Sequence, residues 1–307
     1  MNDGALPLGI LDLCKHGRDA TPHAAAHGSI EAARLAEEHG YRRYWLAEHH
    51  VDNSAVTVPE VLLAAIGMAT TRLRIGFGGV VLRYYSPWRV AELARSLTAL
   101  FGDRIDLGVC RGPGLVDARV ARALVDGNDW ELFDEAFDHK VTRLLQLLDR
   151  DPADRRIPPV YPRVATGPER WLLASSARSA SFAASLGLNF AVPLFILRDE
   201  RRTLDTLGGF NPIRPGRRVV AVSVIGGATA AIAEQRHERT LAAGAIASNV
   251  VGDWDMVVAR LGALRTQFAA DEIMIVSMSH DQEERREMLA EIALRWPDRD
   301  VAMRRTG

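Results

Sequence analysis

Apolar positions along the chain fall in short unbroken runs that alternate with longer stretches where they recur every three or four residues. This is the pattern of buried strands alternating with amphipathic helices. Runs at 8–13, 43–47, 74–79, 105–109, 171–174, 189–192, 219–224 and 273–276 predict strands. Helical periodicity between them predicts helices over 24–39, 58–70, 86–101, 130–148, 177–186, 198–207, 228–243 and 254–268, with a charged last helix over 281–295. Gly40 suits the end of the first helix, Pro59 and Pro87 the first turns of theirs, and Asp151-Pro152 a helix stop. The Gly- and Pro-rich residues 208–216 predict an exposed loop. Strands that are apolar throughout, each followed by a helix, imply a parallel sheet covered on both faces. No repeat, linker or low-complexity tract interrupts the series. The eight strands therefore predict one closed (β/α)8 barrel, a single domain over residues 1–307, better than an open doubly wound sheet.

Composition adds mainly exclusions. The 307 residues are 48% hydrophobic and 25% charged, ordinary for a soluble protein. With 38 basic against 39 acidic side chains there is no positive excess to neutralise a phosphate backbone or an anionic membrane surface. No apolar run approaches the ~20 residues that span a bilayer. The start Met1-Asn2-Asp3-Gly4 lacks the basic and apolar regions of a signal peptide, so a cytoplasmic protein is expected. Cys14 and Cys110 are too few for a disulfide framework; they follow strands one and four, well apart around a barrel, and are expected as free thiols. Lysine occurs only at 15 and 140, which reads as a compositional habit and not as a binding signal.

Barrel active sites lie at the C-terminal ends of the strands. Cys14 and His16 follow the first strand, Glu48-His49-His50 the second, Gly78-Gly79 end the third, and Cys110-Arg111-Gly112 follow the fourth. Ser175-Ser176 follow the fifth strand and His280 the last. Arg111-Gly112-Pro113-Gly114 offers converging backbone N–H groups and a guanidinium, which suits an anion. Ser175-Ser176-Ala177-Arg178-Ser179, where a strand enters a helix, suits one as well. Each motif alone is commonly a turn or a helix cap. On neighbouring strands, together, they can hold one phosphate. A metal-dependent hydrolase built on His16, His49, His50 and Asp52 is a competing reading, but adjacent strand histidines point to opposite faces, so no metal site is expected.

Five motifs in order carry a family resemblance. These are Tyr44-Trp45-Leu46-Ala47-Glu48-His49-His50, the run from Ile75 to Leu82 with Ser86-Pro87 behind it, Arg104 to Gly112 with its Ile-Asp-Leu-Gly core, Trp171 to Ser176, and Asp271-Glu272-Ile273-Met274. Their order and spacing over nearly the whole chain resemble the bacterial luciferase-like flavin monooxygenases, in particular the non-luminescent branch. The resemblance implies a barrel enzyme that takes reduced FMN from a separate flavin reductase and uses dioxygen to oxygenate a small organic substrate. It makes His49, His50 and Cys110 candidate catalytic residues, Cys110 as a thiol beside the flavin. It makes Gly78 and Gly79 a pair whose cis peptide lies against the flavin ring. Arg111 and Ser176, with Ser175 and Ser179, match the phosphate end.

The resemblance also implies a homodimer paired through helices near the second and third strands. The segment 58–70, nearly all apolar or small, agrees with that. Three departures bear on the substrate: Ser175 stands for an acidic residue, Arg83-Tyr84-Tyr85 replaces a smaller segment, and the stretch between strand seven and Gly252 is shorter than usual, implying a reduced cover. No Gly-x-Gly-x-x-Gly follows a strand, so a resident nicotinamide is not indicated. A deazaflavin- or FMN-dependent hydride-transfer enzyme on the same fold and a non-catalytic flavin-binding protein are the alternatives.

Overall fold

Doubly buried apolar runs become parallel strands here because nothing on them can face water and helices lie between them in the chain. The computed structural model describes residues 6–18, 20–112, 117–126, 136–149, 154, 156–213 and 215–297. Its strands are β1 (Leu6–Asp12), β2 (Tyr41–Leu46), β3 (Arg74–Val81), β4 (Ile105–Cys110), β5 (Glu169–Leu173), β6 (Asn189–Pro193), β7 (Arg218–Gly227), β8 (Val250–Asp253) and β9 (Glu272–Ser277). β1 to β7 pair in chain order, and β9 pairs with both β7 and β1, so eight parallel strands close a barrel as the sequence predicted. β8 is an addition. It pairs only with the far end of β7, Val224 to Gly227. Asn249 ahead of it bonds the Ser223 backbone and the Leu194 carbonyl. Four residues ending in Gly-Asp gave no strand signal, and Asp253 then caps the following helix through Met256 N–H at 2.9 Å.

The helices are α1 (Pro22–Glu38), α2 (Pro59–Ala69), α3 (Pro87–Phe101), α4 (Ala118–Leu124), α5 (Phe137–Leu148), α6 (Ala177–Ser185), α7 (Leu194–Leu197), α8 (Glu200–Gly208), α9 (Ala230–Ala242), α10 (Trp254–Gln267) and α11 (Gln282–Arg295). Thr21, Ser176, Asp199, Thr229, Asp253 and Asp281 cap their first turns with side-chain oxygens, covering otherwise orphaned N–H groups. The short α4 was not foreseen. Of the helix predicted over 130–148, the described part runs from Phe137; Pro113, Gly114, Asp151 and Pro152 lie outside the described residues. The loop predicted as exposed over 208–216 is anchored: Phe210 is buried and stacks on Phe190 at 5.5 Å.

Strand alternation divides the core in two. Residues such as Ile10, Tyr44 and Leu107 pack outward under the helices, while Leu11, Trp45, Trp171, Ala221 and Met274 fill the barrel. Beneath them, at the N-terminal ends of the strands, sits the fully buried Arg43. Its Nε and Nη2 donate to Glu272 at 2.7 and 2.8 Å, and Nη1 donates to Asp106 at 2.6 Å. Arg74 donates to the other Asp106 oxygen, and Arg42, Arg217 and Glu169 complete the ring. Gly9 leaves the room: a Cβ there would lie 2.7 Å from Arg43 Cγ and 2.3 Å from Met274 Sδ.

Removing one partner of a buried ion pair strands the other charge in the interior, at a cost of about 3 to 5 kcal/mol. Arg43→Met should lower unfolding stability in urea by about that amount. A variant as stable as the parent would show that Arg74, Arg42 and Arg217 suffice to hold the two carboxylates.

Candidate active site

Above this floor, a cavity of about 450 Å3 opens among the C-terminal ends of the strands. His49, Gly78, Gly79, Cys110, Arg111, Ser175, Ser176 and Ser179 all line it, so eight of the nine site residues expected from sequence converge. His50 does not line it. Its Nε2 pairs with Glu48 Oε1 at 2.8 Å and its ring meets Tyr84 edge-on. Both histidines lie past the end of β2 at Leu46, in the loop, where Glu48 holds the His50 ring away from the cavity. Among the described residues no group of three or more His, Cys, Asp or Glu is placed to hold a metal ion.

The β3 end is built for close approach. The Gly78–Gly79 peptide is cis. A Cβ on Gly78 would lie 2.6 Å from Leu11 Cδ1 and one on Gly79 2.8 Å from the Gly108 carbonyl oxygen, so a side chain at Gly79 would meet fixed backbone and one at Gly78 would displace the Leu11 side chain. Glu48 braces this exit. It is buried and accepts from Val81 N–H, Tyr85 O–H and His50, each at 2.8 Å. Lys140 on α5 donates to the carbonyls of Arg83 at 2.6 Å, Tyr85 at 3.0 Å and Leu82 at 3.4 Å. Arg83 and Tyr84, which the sequence placed at the mouth of strand three, are buried in this brace. Sequence reading treated Glu48 only as a neighbour of the histidines and gave Lys140 no role. A carboxylate directly after a strand, flanked by residues it can bond, was the available signal.

His49 is half-buried, and its Nδ1 lies 3.4 Å from the Leu13 carbonyl. A carbonyl only accepts, so Nδ1 carries the proton and Nε2 the lone pair. Burial, and then the nearby Lys15 ammonium, hold its pKa below the usual imidazole value. The ring is therefore neutral at pH 7. The Cys110 thiol contacts the Gly79 carbonyl at 3.6 Å, and burial together with the Glu48 charge pushes its pKa up to about 12. Cys110 is thus a neutral thiol at physiological pH. Both cysteines are free, as expected.

At the other end, Arg111 Nη2 donates to Asp138 Oδ1 at 3.1 Å while its guanidinium lies 4.7 Å from the Phe137 ring centre. Arg178 reaches the second Asp138 oxygen at 3.2 Å. Ser176 Oγ caps α6 by accepting from Ser179 N–H at 3.2 Å, and the two hydroxyls lie 2.9 Å apart. Two guanidiniums, two hydroxyls and a helix N-terminus thus gather at one corner around the Asp138 carboxylate. Arg178 lies within the serine-rich run after the fifth strand, and its partner Asp138 comes from α5.

These placements have two measurable consequences. NMR titration should put the His49 imidazole pKa below 6.5, its ordinary value, and Lys15→Met should move it up. Iodoacetamide at pH 8 should modify Cys110 far more slowly than free cysteine, with the rate still climbing toward pH 12. Rapid labelling at pH 8 would contradict this.

A closed parallel barrel with a lined cavity at the C-terminal rim is the architecture of a barrel enzyme, here with Arg111, two serines and His49 in one pocket. Residues 6–302 match the family described as Luciferase-like monooxygenase, and the chain belongs to that family. It is similar to the N-acetyl-S-alkylcysteine monooxygenase of Bacillus subtilis, 36% identical over 64% of this chain and 61% of that protein's length. Among solved structures, apo-MsnO8 superposes with a TM-score of 0.84 at 31% identity, covering 94% of this chain and 97% of its own. The oxygenating constituent of 3,6-diketocamphane monooxygenase in complex with FMN shares the fold at a TM-score of 0.69 and 16% identity, over 95% of this chain and 99% of that one. The protein is accordingly an oxidoreductase of the luciferase-like monooxygenase type. No helix of the described residues is long and apolar enough to cross a membrane.

Proposed function

We propose that this chain is a single-domain, cytoplasmic monooxygenase that takes reduced FMN from a separate flavin reductase and uses dioxygen to oxygenate a small organic substrate. The observation that carries the reading is one cavity with an apolar wall beside Gly78-Gly79 and a cationic, hydroxyl-rich corner beyond it. A planar ring with a phosphate tail needs that combination. The residues fit the group: side chains at Gly78 or Gly79 would meet barrel atoms, Leu173, Ala174, Ala191 and Val192 are apolar, and Arg111 and Ser176 stand at the tail end. Bound reduced FMN would supply two electrons, with which one oxygen atom of dioxygen enters the substrate and the other leaves as water.

The chain's own groups have distinct tasks in this scheme. Arg111 and Arg178 already neutralise Asp138, and a phosphate dianion would compete for the same donors. His49, neutral with a free Nε2 lone pair, can take up and return a proton. The apolar wall excludes water that would divert the oxygen chemistry. Glu48 and Lys140 hold the β3 exit, and so the glycine pair, in place. The Ile-Asp-Leu-Gly core of β4 sets the strand that ends at Cys110, whose neutral thiol packs against the Gly79 carbonyl instead of attacking.

A charge-assisted contact contributes about 1.5 to 3 kcal/mol, so Arg111→Ala should weaken FMN by roughly 10- to 150-fold. Riboflavin, lacking the phosphate, should hardly respond. Equal loss for both flavins, or tighter binding of a deazaflavin than of FMN, would overturn the FMN assignment. His49→Ala should keep flavin affinity within a few-fold while product formation from reduced FMN and air falls by roughly 100-fold.

The same proposal includes a homodimer. On α2, Val61 and Met68 are 67% and 79% exposed, and Leu100 on α3 is 66% exposed. An apolar stripe on two adjacent helices is what a two-fold interface covers. Sedimentation should give the dimer mass at micromolar concentration, and the double change Val61→Glu with Met68→Glu should give the monomer. A monomeric parent would refute it.

A further inference from the structure

A second cavity, about 340 Å3, lies beside the first, and His49, Leu11, Leu13 and Phe195 line both. The cavity is largely apolar, with Ile246, Met278 and Met288 among its walls. Its titratable lining is Asp12, Lys15, Arg285 and the imidazoles of His49 and His280. Asp12 is already committed: its carboxylate accepts from Arg285 at 2.7 Å, Ser29 and Tyr44 at 2.6 Å each, and Cys14 N–H at 3.0 Å. Glu48 is likewise taken up by His50, Tyr85 and Val81. Lys15 is half-buried and, among the described residues, forms no ion pair. Its segment is fixed by pairing of Lys15 with Ser54 and by His16 N–H donating to the Asn53 carbonyl at 3.0 Å. His280 feels the same charge, its pKa held down by burial and then by Lys15.

With Asp12 and Arg285 cancelling, the pocket retains one positive charge surrounded by apolar wall. An isolated partly buried ammonium is unfavourable unless an anion joins it. We infer that this cavity receives the substrate and that the substrate is an amphiphilic organic anion, a carboxylate or its equivalent on an apolar body, with its charge on Lys15. Asn53 also lines the pocket and carries an amide able to donate to the same head group, whereas the Ser279 hydroxyl is already given to Glu284. The apolar body would then lie toward Phe195 and His49, against the first cavity. This deepens the monooxygenase reading and rests on it for the word substrate, while the recognition itself requires no flavin.

The test is calorimetric titration of the whole flavin-free protein with octanoate and with octanamide, which share a chain and differ in charge. Octanoate should bind about 10-fold or more tightly than the amide. Lys15→Met should abolish that preference without changing amide binding, Lys15→Arg should keep most of it, and neither should move FMN affinity beyond a few-fold. Raising the salt from about 0.02 to about 0.5 M should weaken octanoate alone, a reading that needs no variant. Octanoate should also raise the His280 imidazole pKa by NMR, because it offsets the Lys15 charge; a merely structural lysine would leave it still. Equal binding of the two compounds, no binding of either, or an undiminished preference in Lys15→Met would overturn the inference. FMN titration of the same samples judges the flavin reading separately: anion binding without FMN binding would sink that reading and leave this one standing.

Discussion

The rest of the molecule is arranged around a guanidinium that has no water to face. Arg43 lies inside the barrel on β2, and its partners come from β4 and β9. Only a closed barrel in one register brings those three strands to bonding distance of a single side chain. A one-residue slip of any of them would turn its charged residue outward and leave a buried charge alone. Asp106 then passes the constraint upward, accepting the Trp45 indole N–H at 2.8 Å on the same oxygen that serves Arg43. Trp45 packs edge-on against Trp171 at 5.1 Å and forms part of the cavity floor. The height and tilt of that floor are thus fixed from below by electrostatics, while the helices outside supply most of the apolar burial.

How far the sequence could be read follows from the range of each interaction. Strand and helix periods are local, so all eight barrel strands and the helices that cover them were legible, as was the rim cluster around His49, Cys110, Arg111 and Ser176. β8 was not, because Val250 to Asp253 owe their strand form to the overhanging end of β7 and not to any pattern of their own. The burial of Phe210 inside a Gly- and Pro-rich stretch depends on a ring partner, Phe190, twenty residues away in another element. Arg43, Asp106 and Glu272 were in plain view, two of them inside family motifs. Nothing in their spacing says that they meet, since their separations are set by barrel closure.

The two ends of the barrel treat charge differently. At the bottom, guanidiniums and carboxylates alternate until every oxygen has a donor, and the network has no spare valence for a ligand. At the top, carboxylates are consumed by structure: Asp12 by Arg285, Glu48 by the β3 brace, Asp138 by Arg111 and Arg178. What remains toward the two cavities is positive and donor-rich. The proposed phosphate-bearing cofactor and anionic substrate would need two such positions held apart, and His49, which lines both cavities, would have to be neutral to act there as a base. Burial, and then the Lys15 charge, depress its pKa and keep it so.

That asymmetry also revises the meaning of the two lysines. In a chain that otherwise uses arginine for nearly every positive charge, a habit of composition explains the arginines but not the exceptions. Lys140 reaches three carbonyls of one turn from a single nitrogen, a convergence that suits a compact ammonium with three donors. Lys15 stands on a short, tied segment beside His49 and His280, where a guanidinium would bring five donors and greater bulk into a pocket with few acceptors. One lysine shapes the wall that the cofactor would meet, and the other sets the charge that the substrate would meet. Both sites use an ammonium on a flexible stem, at Lys140 to gather three carbonyls and at Lys15 to leave one positive charge in an apolar pocket.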